Sequence, residues 1–364
     1  MVPLSNLNSF EMKDLGHHEL LGELDPDRTL FFCCASFEER STKLPIALAD
    51  HPWTQVSVFF NSDVDGGDAN SAKILEAMGG CASVQKTSVG SPLETADRFY
   101  DVIEEAEVVG SKLVVDFSTF THEHLLILVK CLETAGVNLE EIVWIYCRVE
   151  EYSVGERAEH KWLSRGVFDI RSVLGYSGRI SPELPTALLL LVGFEAERAC
   201  GVVDCLEPHF LLLGKGTSAN SESEEMHLVN RHFHKLIRDS VRTMPNDRIR
   251  DFEFPCNDPA TVARMVTRFA EMINGVGNLV VVPMNTKIST LGIAWAFCNF
   301  PVFQVVYAQA YIYNYKSYSK PSDRCYLMRG LFAGADSAPT SIRPSFETQR
   351  SRSETDLEKV FALA

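Results

Sequence analysis

The 364-residue sequence predicts an α/β fold built of two tandem Rossmann-like units with mostly parallel sheets. Three observations predict it. From Arg28 onward, short apolar runs alternate with amphipathic ones, as strands joined by crossover helices do. An apolar run ending in a small residue, Phe, Glu and Arg occurs twice, over Leu30–Arg40 and Leu189–Arg198. Two later strands recur in the same order, Lys112–Thr119 with Asn278–Asn285 and Ile142–Tyr146 with Phe303–Tyr307. Phe37 lies 157 positions before Phe194, Lys112 166 before Asn278 and Tyr146 161 before Tyr307, so the order holds while loop lengths drift. An ordered repeat of this kind marks a duplicated unit, and duplication sets equivalent loops about a pseudo-twofold axis where one ligand could be shared.

Residues 1–27 read as a polar lead-in. The first unit spans 28–153, with strands expected at 29–34, 55–60, 83–87, 112–116 and 142–147 and helices near 39–49, 68–78, 92–107 and 121–135. Residues 154–185, rich in charge, glycine and proline, form a linker with one extra strand near 169–173. The second unit spans 186–332, with strands at 187–192, 209–213, 249–254, 278–282 and 302–307 and helices at 195–206, 222–242, 258–275 and 288–298. Both third helices open on a proline, Ser91-Pro92 and Asp258-Pro259. Proline loses no bond there, and Ser or Asp caps the exposed amides. A further strand is expected at Cys325–Met328, and 333–364, rich in Ser, Arg, Pro and Thr, reads as a mobile tail whose last residues form a short docking helix.

Composition excludes several classes. Hydrophobic residues make up 46% and charged residues 23%, an ordinary soluble pattern, and no apolar run reaches the length of a membrane span. The acidic first thirty residues are no secretion signal, and ten cysteines without framework spacing point to reduced thiols, so the expected location is cytoplasmic. A net charge of -15 opposes general nucleic-acid binding. It leaves room for a small anionic nucleotide-type ligand, because backbone amides at helix starts bind phosphate without a global positive field.

In open parallel sheets ligands bind beyond the carboxyl ends of the strands, and each repeated motif falls there. Ser36 and Gly193 leave the first strands, followed by Arg40 and Arg198, which either pair with neighbouring carboxylates or touch a ligand. Asp116 ends the fourth strand of the first unit, with Ser118 after it, a place for a base or metal ligand and equally for a helix cap. The matching segment of the second unit carries Asn285, Thr286, Lys287 and Ser289 at a helix start, where a cation adds to the amides. The loop Asn61–Asp68, with Asp63, has residue types for Mg or Ca or for ribose hydroxyls, but lacks the full calcium-loop pattern, so a solvated turn is its default. Tyr307 opens a run of alternating tyrosines that suits either base stacking or a packing and dimer surface. The histidine spacings 122/124 and 227/234 do not make a metal site. Cys33 and Cys34 sit in a strand that points them apart and read as structural thiols. There is no phosphate loop of the Walker type, no G-x-G-x-x-G after a strand and no G-x-S-x-G elbow.

The segment Asn285-Thr286-Lys287-Ile288-Ser289 after a strand resembles the glycine, threonine, lysine turn of CARF domains, with Met284 and Asn285 where that family has glycines. Two such units in one chain are similar in plan to the SAVED domain of prokaryotic antiviral defence, which binds cyclic oligonucleotides. The resemblance implies that Thr286 and Lys287 contact ligand phosphate and that the turns at Ser36 and Gly193 line the same pocket. The leading expectation is a nucleotide-binding or nucleotide-sensing protein with its pocket between the units. Asn285, Thr286 and Lys287 would hold phosphate, Arg40 and Arg198 would add charge, and Asp63 or Tyr307 would touch sugar or base. The alternatives are an enzyme acting on a nucleotide or sugar phosphate through Asp116, and a noncatalytic module whose tyrosine strand and tail bind a protein partner or a second copy.

Overall fold

The computed structural model describes residues 10–25, 27, 29–157, 160–241, 244–334 and 357. They form two compact units. The first comprises the described residues up to Arg157 together with Asn314–Ala333, and the second the described residues from 160 to Tyr313 with Gly334 and Leu357.

The first unit begins with β1 (Glu11–Gly16) and a short α1 (Leu20–Glu23), in the stretch read as a polar lead-in. It continues through β2 (Leu30–Ala35), α2 (Arg40–Ala47), β3 (Gln55–Asn61), α3 (Gly67–Met78), β4 (Ala82–Thr87), α4 (Pro92–Glu105), β5 (Leu113–Asp116), α5 (His122–Thr134) and β6 (Val143–Tyr152). Within its sheet, β4, β3, β2, β5 and β6 lie side by side in that order and all run parallel. Numbered by their place in the repeat, the order is 3-2-1-4-5, the first five places of the Rossmann order 3-2-1-4-5-6, reversing between β2 and β5. Every residue of β2 is buried, as expected for a central strand covered on both faces. Phe31 stacks on Trp53 with ring centres 4.9 Å apart, inside a core that also holds Val58, Ile74 and Ile145.

The second unit starts with β7 (Ser164–Ser172), in the stretch read as a linker, and continues through β8 (Thr186–Leu191), α6 (Ala196–Leu206), β9 (Phe210–Gly216), α7 (Glu224–Ser240), β10 (Ile249–Phe254), α8 (Pro259–Ile273), β11 (Asn278–Pro283), α9 (Lys287–Asn299) and β12 (Gln304–Tyr313). Its parallel strands lie β10-β9-β8-β11-β12, again 3-2-1-4-5, and β7 joins β12 antiparallel. In α9 every residue from Ile288 to Cys298 is buried, so this helix is a core element with no polar face. Gly292 permits that burial, since a Cβ there would lie 2.6 Å from the Pro259 carbonyl oxygen of α8.

The last strand, β13 (Ser319–Arg329), returns to the first sheet and lies antiparallel between β6 and β1. It takes in the short strand expected at Cys325–Met328 and extends it toward the N-terminus of the strand. Of the stretch 333–364, residues 335–356 and 358–364, and with them the expected tail and terminal helix, lie outside the described residues. Leu357 is buried with its side chain facing Gly277.

Candidate functional site

In both units the turn after the first strand of the repeat, β2 or β8, is built around a buried ion pair, and the two pairs are constructed alike. Glu38 and Arg40 lie 3.1 Å apart, with the arginine wholly buried. The guanidinium donates to the Cys147 carbonyl at 3.2 Å and the Ser118 carbonyl at 3.0 Å, and lies 5.3 Å from the centre of the Tyr146 ring. Ser319 of β13 donates its hydroxyl to Glu38 at 2.6 Å. In the second unit Arg198 meets Glu195 at 2.6 Å, donates to the Ala308 carbonyl and lies 5.8 Å from the centre of the Tyr307 ring. Ser164 of β7 donates its hydroxyl to Glu195. Burial, the largest influence, works against each charged guanidinium, but the adjacent glutamate together with the neighbouring tyrosines outweighs it, so both arginines stay charged.

Arg40, Arg198 and Tyr307 therefore belong to two buried locks that hold the first turn of each unit onto its fifth strand. Of the two sequence readings for the arginines, pairing with a nearby carboxylate is the one the geometry shows, and Tyr307 is buried beneath Arg198. Two asparagines brace the same turns. Asn70 of α3 donates to the Ser36 carbonyl at 2.8 Å, and Asn230 of α7 donates to the Val192 carbonyl at 2.7 Å. They sit 160 positions apart, one more repeat of the duplication. Ser36 is half-exposed and its hydroxyl accepts the Glu38 amide at 3.1 Å.

Asp116 is 1% exposed. Its carboxylate accepts both the amide and the hydroxyl of Ser118, and the Ser118 hydroxyl in turn accepts the Cys147 amide at 2.7 Å. Burial pushes the Asp116 carboxyl up to about 6, against the Ser118 hydrogen bonds and the Arg40 charge that favour ionisation. A buried acid of this kind destabilises the fold once ionised. Between the ordinary value of 3.8 and about 6 the folded chain keeps a proton that the unfolded chain has lost, so stability falls as pH rises through that window. The expected loss is about 3 kcal/mol, complete above the folded value. Asp116→Asn should abolish this fall; denaturant unfolding at pH 4 and 6.5 measures it, and parallel pH profiles for the two proteins would contradict the assignment.

Asp63 is an anchor for the neighbouring loop. Its carboxylate accepts the Val89 amide at 3.0 Å, the Gly90 amide at 2.8 Å and the Ser88 hydroxyl at 2.9 Å. Partial burial pushes it up, but these three donors together hold it below the usual aspartate range. Ser91, expected to cap α4, makes no side-chain cap bond; its amide donates to Ser88 Oγ at 3.0 Å instead, whereas Asp258 caps α8 through the Thr261 amide.

The second unit's order reverses between β8 and β11, and the loops leaving those two strands touch. Gly193 presses against Met284 so closely that a Cβ would lie 1.8 Å from the Met284 carbonyl oxygen. Asn285 donates its amide to the Val192 carbonyl at 2.6 Å and accepts the Thr286 amide at 2.9 Å. Thr286 caps α9 by accepting the Ser289 amide at 3.1 Å and donates its hydroxyl to the Cys256 carbonyl. Ser289 is buried and its hydroxyl returns to the Thr286 carbonyl at 2.7 Å. Asn285, Thr286 and Ser289 thus shape the helix start, and half-buried Lys287 occupies its first turn. Thr121 caps α5 as Thr286 caps α9, accepting the His124 amide at 3.0 Å. Aligned on these caps, His122 is the first-unit counterpart of Lys287, one position beyond the sequence match.

Sequence reasoning missed the asparagine pair, which its 160-residue spacing could have shown, and the serines of β7 and β13, which no in-order repeat could show. Among the described residues no group of three or more His, Cys, Asp or Glu is placed to hold a metal ion, and no helix is long and apolar enough to cross a membrane. None of the ten cysteines forms a disulfide.

No protein-family model matches the chain, and no curated protein matches it. Among solved structures it is similar to the N-domain, with NADP, of bacterial malonyl-CoA reductase, at 9% sequence identity and a TM-score of 0.23 over 73% of this chain and 76% of that one.

Proposed function

We propose that this protein binds a small anionic nucleotide-type ligand at the carboxyl ends of the second unit's strands, with phosphate at the start of α9. The observation that carries the reading is the 3-2-1-4-5 order of that sheet, which reverses between β8 and β11. In open α/β sheets the ligand crevice lies outside the carboxyl ends of the strands at such a reversal, and α9 begins there with Lys287 in its first turn. The helix dipole and the lysine cation act in the same direction on a phosphate. Asn285, Thr286 and Ser289 set the geometry of the loop, so their part is positioning. Within this reading the finer proposal is a cyclic oligonucleotide sensed in prokaryotic defence, which rests on the CARF and SAVED resemblance of the Thr286-Lys287 turn.

Lys287→Ala should weaken binding of the responding nucleotide about tenfold or more, as loss of a charge-assisted contact does. Lys287→Arg should retain most of the affinity, and the thermal midpoint without ligand should stay close to that of the parent. Titration calorimetry reads the affinity, and equal binding by the alanine variant would remove Lys287 from the site.

A second reading has its own observation. Tyr311 is 70% and Phe168 63% exposed, and their rings stack at 6.5 Å on the outer part of β12 and β7. Such a pair suits a noncatalytic contact with a protein partner or a second copy. A solution mass that rises with concentration and loses that dependence in Tyr311→Ser would favour it.

A further inference from the structure

We infer that the two units are a strand-exchanged pair fused in one chain, each taking as its sixth strand the segment that follows the other's fifth strand. The segment after β6 is β7, which pairs with β12; the segment after β12 is β13, which pairs with β6. Residues 314–318 alone join β12 to β13, a length that ordinarily closes an antiparallel hairpin between consecutive strands. Here the two strands it joins lie in different sheets.

The registers show that the sixth strands are equivalent. Ser319 of β13 stands opposite Tyr152, and Tyr326 opposite Tyr146. Ser164 of β7 stands opposite Tyr313, and Arg171 opposite Tyr307. Tyr146 and Tyr152 each precede their counterparts, Tyr307 and Tyr313, by 161 positions, whereas Ser319 follows its counterpart Ser164 by 155. The reversed sign is the mark of the exchange. Chemistry repeats the register, since Ser319 donates to Glu38 at 2.6 Å and Ser164 donates to Glu195. Each buried glutamate–arginine lock is therefore completed by a hydroxyl on the strand that trails the other repeat, and neither repeat finishes its own sheet with its own trailing strand. Domain swapping between identical protomers makes the same arrangement across two chains. The inference is independent of the ligand.

A crossed pattern of hydrogen exchange in the full chain tests it. Ser319→Ala, in the segment trailing the second repeat, should speed exchange about tenfold at the Glu38–Ser41 turn and along β6, leaving β8 and β12 unchanged. Ser164→Ala, in the segment trailing the first repeat, should do so at the Glu195–Ala199 turn and along β12, leaving β2 and β6 unchanged. Acceleration in the repeat that each serine follows, or in neither, would overturn the inference. A second measurement does not depend on either substitution. The full chain carrying a protease site between Glu156 and Arg157, cut after folding, should elute as one particle, since β13 stays built into the first sheet. Release of a folded first repeat without β13 would overturn the exchange.

Discussion

Arg40→Met is expected to destabilise the first unit by about 3–5 kcal/mol, the cost of leaving a buried charge without its partner. The arginine is wholly buried and reaches Glu38, the Cys147 carbonyl and the Ser118 carbonyl at once. Methionine fills much of the same volume but supplies no donor. Glu38 then keeps the Ser319 hydroxyl as its hydrogen bond while its charge remains in a low-dielectric site, and two carbonyls lose their donor. That loss approaches the whole stability of many single domains, so the first unit should melt well below the second. Neutralising the acid as well, in Glu38→Gln with Arg40→Met, should recover a large part of it, because replacing both charges removes the uncompensated one. Denaturant unfolding followed by hydrogen exchange separates the two units. Equal destabilisation in the single and double variants would show that lost packing, and not the stranded carboxylate, sets the cost. Arg198→Met should repeat the behaviour in the second unit, where Glu195, Ser164 and Tyr307 stand in the same relation.

Gly193→Ala is expected to cost about 3 kcal/mol, at the upper end of overpacking effects. The new methyl would lie 1.8 Å from the Met284 carbonyl oxygen and 2.9 Å from its carbonyl carbon. These are backbone atoms, so no rotamer change relieves the clash. Met284 is itself fixed by its amide bond to the Leu191 carbonyl at 3.2 Å and by a buried side chain. The loops after β8 and β11 must separate, and Asn285 loses its bond to the Val192 carbonyl. The start of α9 moves with them, so nucleotide affinity should fall together with the thermal midpoint. Ser36 holds the matching place in the first unit with a side chain already present, so Ser36→Ala should shift the midpoint little. An unchanged midpoint in Gly193→Ala would mean that the two loops are not held at this contact.

Much of this fold is legible in the sequence because its central parallel strands are buried on both faces. Runs such as Leu30–Ala35 and Ala187–Leu191 have no competing helical reading, and the helix starts at Pro92, Pro259, Thr121 and Thr286 carry their own punctuation. The strands that escape are those whose existence depends on pairing. Residues 319–324 of β13 contain Pro321, Ser322 and Asp323 and lie outside the strand expected at Cys325–Met328, and β1, with Glu11, Lys13 and Asp14, reads as polar lead-in. Both are strands because an antiparallel neighbour satisfies their backbone, a contact made across about 170 residues for β13 with β6 and more than 300 for β1 with β13. Which sheet a strand joins is likewise recorded nowhere in its own residues, so the exchange could not be read in advance.

The candidate site divides the same way. The cap of Thr286 and the lysine after it follow from local spacing. Whether an arginine at a turn points outward to a ligand or inward to a carboxylate depends on the fifth and sixth strands packed over it, and Arg40 and Arg198 point inward. Asp116 shows the same limit, since its place at a strand end does not tell that its carboxylate accepts the Ser118 hydroxyl, which in turn accepts the Cys147 amide.

Thermal unfolding of the intact protein against a panel of mononucleotides, dinucleotides and cyclic oligonucleotides, each with and without Mg, tests the binding claim most directly. A ligand held at α9 and present at ~100 times its dissociation constant should add about 2.7 kcal/mol, and a tenfold weaker affinity in Lys287→Ala should cut that gain to about 1.4 kcal/mol at the same concentration. No gain with any nucleotide class, or the same gain in the variant, would contradict a phosphate site at the start of α9.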